Sequence, residues 1–314
     1  MNMRHWLFLI IFALFPVSGE AQVAVARYYG DKDAALTFTF DDGLQEHYTL
    51  VFPRLKALGL KASFGVIGSK VGATWKGIPT MTWAQLREMA ADGQEITNHG
   101  YRHNAVIKLQ GEALRYEVQH NDTLISDSAG VFPRTYFYPG NRKSDEGIDF
   151  CSRDRVGTRM FQGSFGSKRD SAWVHRTLER TLRNQEWTVW MTHGITTGYD
   201  AFPNVELFWN TLEKVAQLKD RLWICTLHDG LAYAAERDAV HLDEKQDKYG
   251  VIIVVPKMSL NPRLFFHPLT LVVNGRVKEA VQDSKELAVT YKEGKSLLDF
   301  DPYGGKIKIH LKRY

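Results

Sequence analysis

Two adjacent carboxylates, Asp41 and Asp42, sit in Thr39-Phe40-Asp41-Asp42-Gly43. Side by side they repel unless a cation lies near, although Asp-Gly is also ordinary turn chemistry. Further on, Asn98-His99-Gly100-Tyr101-Arg102-His103 sets two imidazoles four residues apart. That spacing lets both reach one ion from the same side of a helical turn. An aspartate from a neighbouring strand would complete a His₂Asp set with positions left open for water and substrate, the layout of a catalytic metal rather than a structural one. A third histidine, His193, follows Trp190-Met191-Thr192, and Tyr138-Pro139-Gly140-Asn141 closes another apolar run. Singly, each cluster reads as a turn, a cap or a satisfied histidine. Together they point to chemistry, because all of them end predicted strands.

Those strands alternate with amphipathic stretches. Residues 35–40, 61–67, 95–98, 135–138, 156–160, 187–192 and 222–226 read as strands. Between and after them, residues 44–58, 82–91, 112–125, 145–153, 174–183, 205–218 and 231–236 read as helices. Thr82 and Gln85 form a capping box, and Gly59 and Gly93 are stops. Repeated strand–helix units predict an α/β fold of parallel strands with helices outside, and seven units suit a distorted (β/α) barrel. In such barrels the C-terminal strand ends hold the active site, and that is where the clusters fall.

The pattern changes after Arg237. Residues 239–250 are polar and read as a linker; residues 251–314 form a small β-rich domain expected to dock on the barrel, since so small a unit buries little core alone. Asn274-Gly275 reads there as a hairpin turn, and the closing Lys306-Ile307-Lys308-Ile309-His310-Leu311 as an alternating edge strand.

The 314 residues are 44% hydrophobic and 24% charged, which excludes a disordered or fibrous chain. A formal charge of +4, scattered along the chain, argues against a nucleic-acid partner. At the N-terminus, Arg4, the apolar run 6–17 and Gly19-Glu20-Ala21 read as a signal peptide over residues 1–21, cleaved before Gln22. The run is shorter than the ~20 residues of a spanning helix, so no stable membrane anchor is expected after cleavage. The barrel domain then covers 22–238, and the protein is expected to be exported, periplasmic or secreted. Cys151 and Cys225 could pair there or remain buried thiols. Oligomeric state is not encoded in any of these features.

With these motifs in order, TFDDG at 39–43, HGYRH at 99–103, YFYPGN at 136–141 and MTH at 191–193, the chain resembles the polysaccharide deacetylases with a NodB-like domain, carbohydrate esterase family 4. The resemblance spans roughly residues 33–238. It implies a divalent-metal hydrolase that removes acetyl groups from a poly- or oligosaccharide. By motif position Asp42, His99 and His103 would hold the metal, Asp41 would be the base and His193 the acid. Zinc is the default for these donors, with cobalt, nickel or manganese able to use them too. The Gly140 N–H would join the metal in stabilising the oxyanion, beside Tyr138, Pro139 and Asn141, and Met191 and Ile195 would wall the acetyl methyl. Tyr101, Tyr138, Tyr199, Phe202 and Trp209 are candidates to stack on sugar rings. No G-x-S-x-G motif supports a serine esterase.

Two positions depart from the family pattern. Phe137 stands where many members carry an arginine that pairs with the catalytic aspartate, and Arg102, Arg134 and Arg142 are the alternatives. Asp170 and Trp173 are the candidates for the aspartate and tryptophan usually found before the last histidine. His228, in Leu227-His228-Asp229-Gly230, competes with His193, but Asp229 there reads as a helix cap and His193 fits the family order. The alternative functions are an O-acetyl esterase acting on acetylated xylan-type polysaccharide and a non-catalytic carbohydrate-binding relative.

Overall fold

The computed structural model describes residues 22–312, so the signal peptide expected over 1–21 lies outside the described residues. Its centre is the strand Ala34–Phe40, buried along its whole length. A run this apolar can only lie in a sheet covered on both faces. One edge pairs in parallel with Trp187–Thr192, from Ala35↔Trp187 to Phe40↔Thr192. The other edge is shared: Leu222–Ile224 pairs with its start, and Ser63–Val66 with its end. Glu95–Asn98 and Gly163–Ser164 extend the sheet on either side. From Glu95–Asn98 the curl continues through the Asn98↔Tyr136 bridge and an Arg159 N–H donated to the Tyr136 carbonyl. The fold is a distorted (β/α) barrel, as the repeated units predict.

Side-chain alternation divides the central strand. Leu36, Phe38 and Phe40 join the helix-side core with Phe64, Trp190, Phe208 and Leu212. Thr37 and Thr39 turn to the other side, where Thr39 Oγ1 meets Arg159 and Thr37 Oγ1 meets Cys225. Each fully buried Phe contributes about 2–3 kcal/mol by removal from water, so the helix-side face stabilises the barrel while the opposite face carries polar groups. Cys151 and Cys225 are both free and buried.

Two helices are interrupted by a π-turn. In the first, His47–Val51 precedes Phe52–Leu58, which Gly59 ends in the left-handed conformation. In the second, Tyr116–His120 lies between Gly111–Arg115 and Asn121–Ala129. The wider turn re-aims side chains, a use π-bulges often serve near functional sites. His47 and Glu117, each within one of these turns, and Glu46, just before the first, hold active-site loops as described below.

Expectation and structure part at several elements. Residues 156–160 are not a strand; the strand at that position is Gly163–Ser164. The segment keeps two backbone bonds to its neighbour, to the Arg134 and Tyr136 carbonyls, while the Arg155 and Arg159 side chains reach buried carboxylates. The polar stretch 239–250 is not a linker over its length, because His241–Gln246 pairs antiparallel with Ile252–Lys257. Its charged residues suit an exposed sheet edge, which polar composition alone does not distinguish from a loop. Asn274-Gly275 is a corner between sheets, since Leu269–Asn274 pairs with Lys295–Phe300 and Val277–Gln282 with Ile307–Leu311. Ile307–Leu311 does alternate buried and exposed residues, but it lies inside its sheet, between Ile252–Lys257 and Val277–Gln282.

The C-terminal strands form two antiparallel sheets around Ile252, Val254, Leu271, Val273, Leu298, Phe300, Ile307 and Ile309. Val23–Val25 adds an edge strand to one sheet, pairing with Leu269–Asn274. Tyr233, from the helix Leu227–Ala239, enters the same core and docks the sandwich on the barrel. Glu236 of that helix is fully buried and accepts the His267 N–H at 3.0 Å. Burial pushes its carboxyl up to about 7, only partly offset by that hydrogen bond. The folded protein therefore holds a proton between the ordinary carboxylate range and pH 7 that the unfolded chain has lost, and stability falls as pH rises through that window. Glu236→Gln should remove this cost. Its melting temperature relative to the parent is expected to climb between pH 5 and pH 8, by the equivalent of on the order of 1 kcal/mol after solvent screening. A pH-independent difference would show that Glu236 is ionised throughout.

Candidate active site

Asp41 and Asp42 leave the end of the central strand, and Asp42 takes a left-handed backbone with φ 74°. His103 does the same with φ 63°. Left-handed conformations cost energy for non-glycine residues and persist where the surroundings over-determine them. Here the turn brings Asp42 Oδ1 to 3.5 Å from His99 Nε2 and 3.6 Å from His103 Nε2. The three donor atoms lie within 4.8 Å of one another, a group that could hold a metal ion.

The hydrogen bonding around these atoms fits that use. His99 Nδ1 donates to the Phe137 carbonyl at 2.9 Å, which fixes the ring and leaves Nε2 facing Asp42. Both His99 Nε2 and Asp42 Oδ1 are buried and have no hydrogen-bond partner. Orphaned buried donors and acceptors are costly, and a cation would satisfy both at once. Burial, with His99 alongside, pushes His103 down to about 4, so at neutral pH it presents a free lone pair.

Asp41 lies one residue back, its Oδ2 3.7 Å from His99 Nε2 and 4.0 Å from His193 Nε2. Its orienting cation is Arg159, which none of the motifs indicated. Nη1 and Nη2 each meet one carboxylate oxygen at 2.6 Å, and Nη1 also reaches Thr39 Oγ1 at 2.7 Å. The guanidinium lies 4.0 Å from the centre of the Phe137 ring, so the residue at the expected arginine position forms the platform for the real one. Arg102, Arg134 and Arg142 do not take that role. Arg102 packs over Tyr101 and Tyr116, Arg134 donates to the Arg263 carbonyl, and Arg142 is exposed. Burial pushes the Asp41 carboxyl up, but Arg159, His99 and His193 outweigh it and hold the group well below the usual range.

Three buried groups fix the loops. Glu46 accepts from the Ile195 and Thr196 N–H groups and from Thr196 Oγ1, while His47 Nε2 donates to the His193 carbonyl at 2.7 Å. The loop also folds so tightly that a Cβ on Gly194 would lie 2.1 Å from the Thr197 carbonyl oxygen. Glu117 holds the 99–104 loop by accepting the Arg102 and Asn104 N–H groups at 2.9 Å. Gly100, at φ 80°, leaves room for that carboxylate, 2.6 Å from where its Cβ would stand.

The remaining expected residues divide. Pro139 is buried and packs toward Gly100, while Gly140 and Asn141 are exposed in a left-handed turn, and Met191 is half-buried near the end of its strand. Tyr138 is not a sugar platform: its ring is buried with Val106, Leu114 and Cys151, and its hydroxyl bonds Thr158 Oγ1 at 3.0 Å. Ile195 is not in an acetyl pocket, because its side chain joins the helix-side core. Phe202 is buried and Trp209 packs on the same core. Asp170 caps the helix Ser171–Arg183 and Trp173 stacks on Phe165, so neither serves His193. His228 bonds Asp229 and lines a separate cavity with Arg134 and Phe266. Of the aromatic candidates, Tyr199 fits best, exposed and edge-on to His193 at 5.0 Å.

A distorted (β/α) barrel whose strand ends gather an Asp/His₂ group beside an Arg-paired Asp and a third His has the layout of a hydrolase site. Residues 29–152 match the family model described as polysaccharide deacetylase. The resemblance drawn from the motifs is borne out: residues 29–152 are similar to the polysaccharide deacetylases, the NodB-like, carbohydrate esterase family 4 type. It is 26% identical over 141 residues to YxkH of Bacillus subtilis (strain 168), named for the same family, covering 45% of this chain and 48% of that one. The chain thus spans about half the length of this curated relative. A Mycobacterium smegmatis structure of the same family description superposes with TM-score 0.50 at 14% identity, covering 68% of this chain and 93% of that one. A family 4 acetyl xylan esterase from Clostridium thermocellum, in complex with a cobalt ion, gives TM-score 0.47 at 22% identity over 62% of this chain and 89% of that one.

Proposed function

We propose that this protein is an exported, metal-dependent hydrolase that removes acetyl groups from a carbohydrate polymer or oligomer. The observation that carries the reading is the pair of buried, unpartnered ligand atoms, Asp42 Oδ1 and His99 Nε2, facing His103. A divalent cation bound by Asp42, His99 and His103, zinc by preference, would supply Lewis acidity for the acetyl carbonyl and an acidified water. Asp41, ionised and held by both arms of Arg159, takes the proton of the attacking water. His193, across from Asp41, delivers a proton to the departing amine or hydroxyl of the sugar. The exposed Gly140 turn is the candidate for the second oxyanion contact. Arg159 supports a catalytic reading over a non-catalytic carbohydrate-binding one, because it fills the role that Phe137 leaves vacant in the sequence. Export rests on the N-terminal pattern of Arg4 and the apolar run after it.

The test is acetate release from an N-acetylglucosamine oligomer and from O-acetylated xylan, with metal content measured on the same samples. One bound ion per chain is expected. Chelation should abolish release, and re-addition of zinc should restore it. Asp42→Ala should weaken metal affinity by about 100-fold or more. Which polymer reacts separates N-deacetylase from O-acetyl esterase. A protein that takes up no metal and releases no acetate would overturn the reading.

A further inference from the structure

One side of the mouth of this site carries lysines that make no ion pair among the described residues. Residues 74–79 form a hairpin, Thr74–Trp75 pairing with Ile78–Pro79, whose turn residue Lys76 has φ 49°. The hairpin leans over the site, with the Trp75 ring centred 5.0 Å from that of His103. On the facing loop Tyr199 lies 5.0 Å from His193. Lys76 spans the two, its Nζ 5.2 Å from the Trp75 ring and 5.6 Å from the Tyr199 ring. Lys70 Nζ lies 6.0 Å from the same Trp75 ring.

Beyond the Pro139–Asn141 turn, Lys143 Nζ lies 5.2 Å from the Tyr138 ring and hydrogen-bonds Asn141. Among the described residues Lys70, Lys76 and Lys143 make no ion pair. The nearby carboxylates are otherwise engaged: Asp41 by Arg159, Glu46 and Glu117 by backbone N–H groups, and Asp200 by Ser164 and Ser167. Lys76 and Lys70 put positive charge on the Trp75 side of the mouth, and a local patch of one sign concentrates ligands of the other.

We propose that the substrate is an acidic glycan, a polymer whose acetylated sugar or its immediate neighbour carries a carboxylate. Trp75 and Tyr199 flank the sugars, Lys76 between them takes the carboxylate, and Lys143, bonded to Asn141, receives a second one along the chain. This deepens the deacetylase reading and rests on it for the acetyl group alone.

Calorimetric binding of hexagalacturonate and xylohexaose to the zinc-loaded protein tests it, at 20 and 200 mM salt. The acidic hexamer is expected to bind about 10-fold or more tightly than the neutral one at low salt, with most of that margin lost at high salt. Lys76→Met and Lys143→Met should each narrow the ratio, and Lys76→Arg should retain it. Equal affinities, or a ratio unmoved by both Met variants, would overturn the proposal. Acetate release from O-acetylated polygalacturonate and O-acetylated xylan is followed in parallel. Release without preference for the acidic polymer sinks the acidic-glycan proposal and spares the deacetylase reading. Preferential binding with no release from any acetylated polymer does the reverse.

Discussion

Asp41→Asn is expected to lower acetate release by about 10²–10⁴-fold, the usual worth of a general base, while leaving the metal site able to load. The substitution is nearly isosteric. Asparagine can still accept from one arm of Arg159, but it cannot take a proton from water. Asp41 is only 2% exposed, and its carboxyl is held well below the usual range by Arg159, His99 and His193 acting against burial. The wild-type group is therefore ionised across the working pH range, and the loss should be similar at pH 6 and pH 9. A lower melting temperature is also expected, since Arg159 loses its counter-ion in a buried place, a change that costs about 3–5 kcal/mol in comparable sites. The decisive comparison is turnover per bound metal on protein shown to be folded at the assay temperature. Wild-type turnover on that basis would remove Asp41 from the reaction.

Arg159→Leu should have the next largest effect, on the order of 10²-fold in kcat/KM, with a pH signature that a packing defect does not give. Without the guanidinium, burial dominates Asp41 and its carboxyl rises. The acid limb of the rate profile should then move to higher pH. Arg159→Lys should recover part of the rate and most of the limb position, because an ammonium restores the charge but not the two-armed contact. A lower rate with an unmoved acid limb would mean that Arg159 only supports the fold. The stability linkage has its own sign. A carboxyl depressed by folding stabilises the protein above its unfolded pKa and loses that contribution as pH falls, so wild type should gain acid sensitivity below about pH 4 that Arg159→Leu lacks.

The hairpin-free barrel strands, the capped helix Trp83–Ala91 and the order of the catalytic clusters were legible because each depends on local pattern. Thr82 and Gln85 form their capping box within four residues of chain, and a buried parallel strand such as Ala34–Phe40 announces itself by composition. Errors collected where a partner decides the outcome. His241–Gln246 is a strand only because Ile252–Lys257 lies beside it. Tyr138 is a core residue only because residues 106–118 cover it.

Arg159 shows the same limit at the site itself. It lies far along the chain from Asp41, and no spacing rule connects them. The one local signal was a charged residue inside a segment read as a barrel strand, which demands a counter-ion without naming it. Glu46, His47 and Glu117 were missed for a related reason: each lies in or beside a π-turn, and the register shift is invisible in a helical periodicity.

The sequence alone therefore determined the fold class, the family resemblance and the types of residue that meet at the strand ends, because these follow from short-range patterns and motif order. Tertiary structure alone decided which arginine orients Asp41, which aromatics face the cleft and which lysine stands between them. Those depend on how distant segments of a curled sheet come together, and burial and charge pairing, rather than neighbouring residues, select among the candidates.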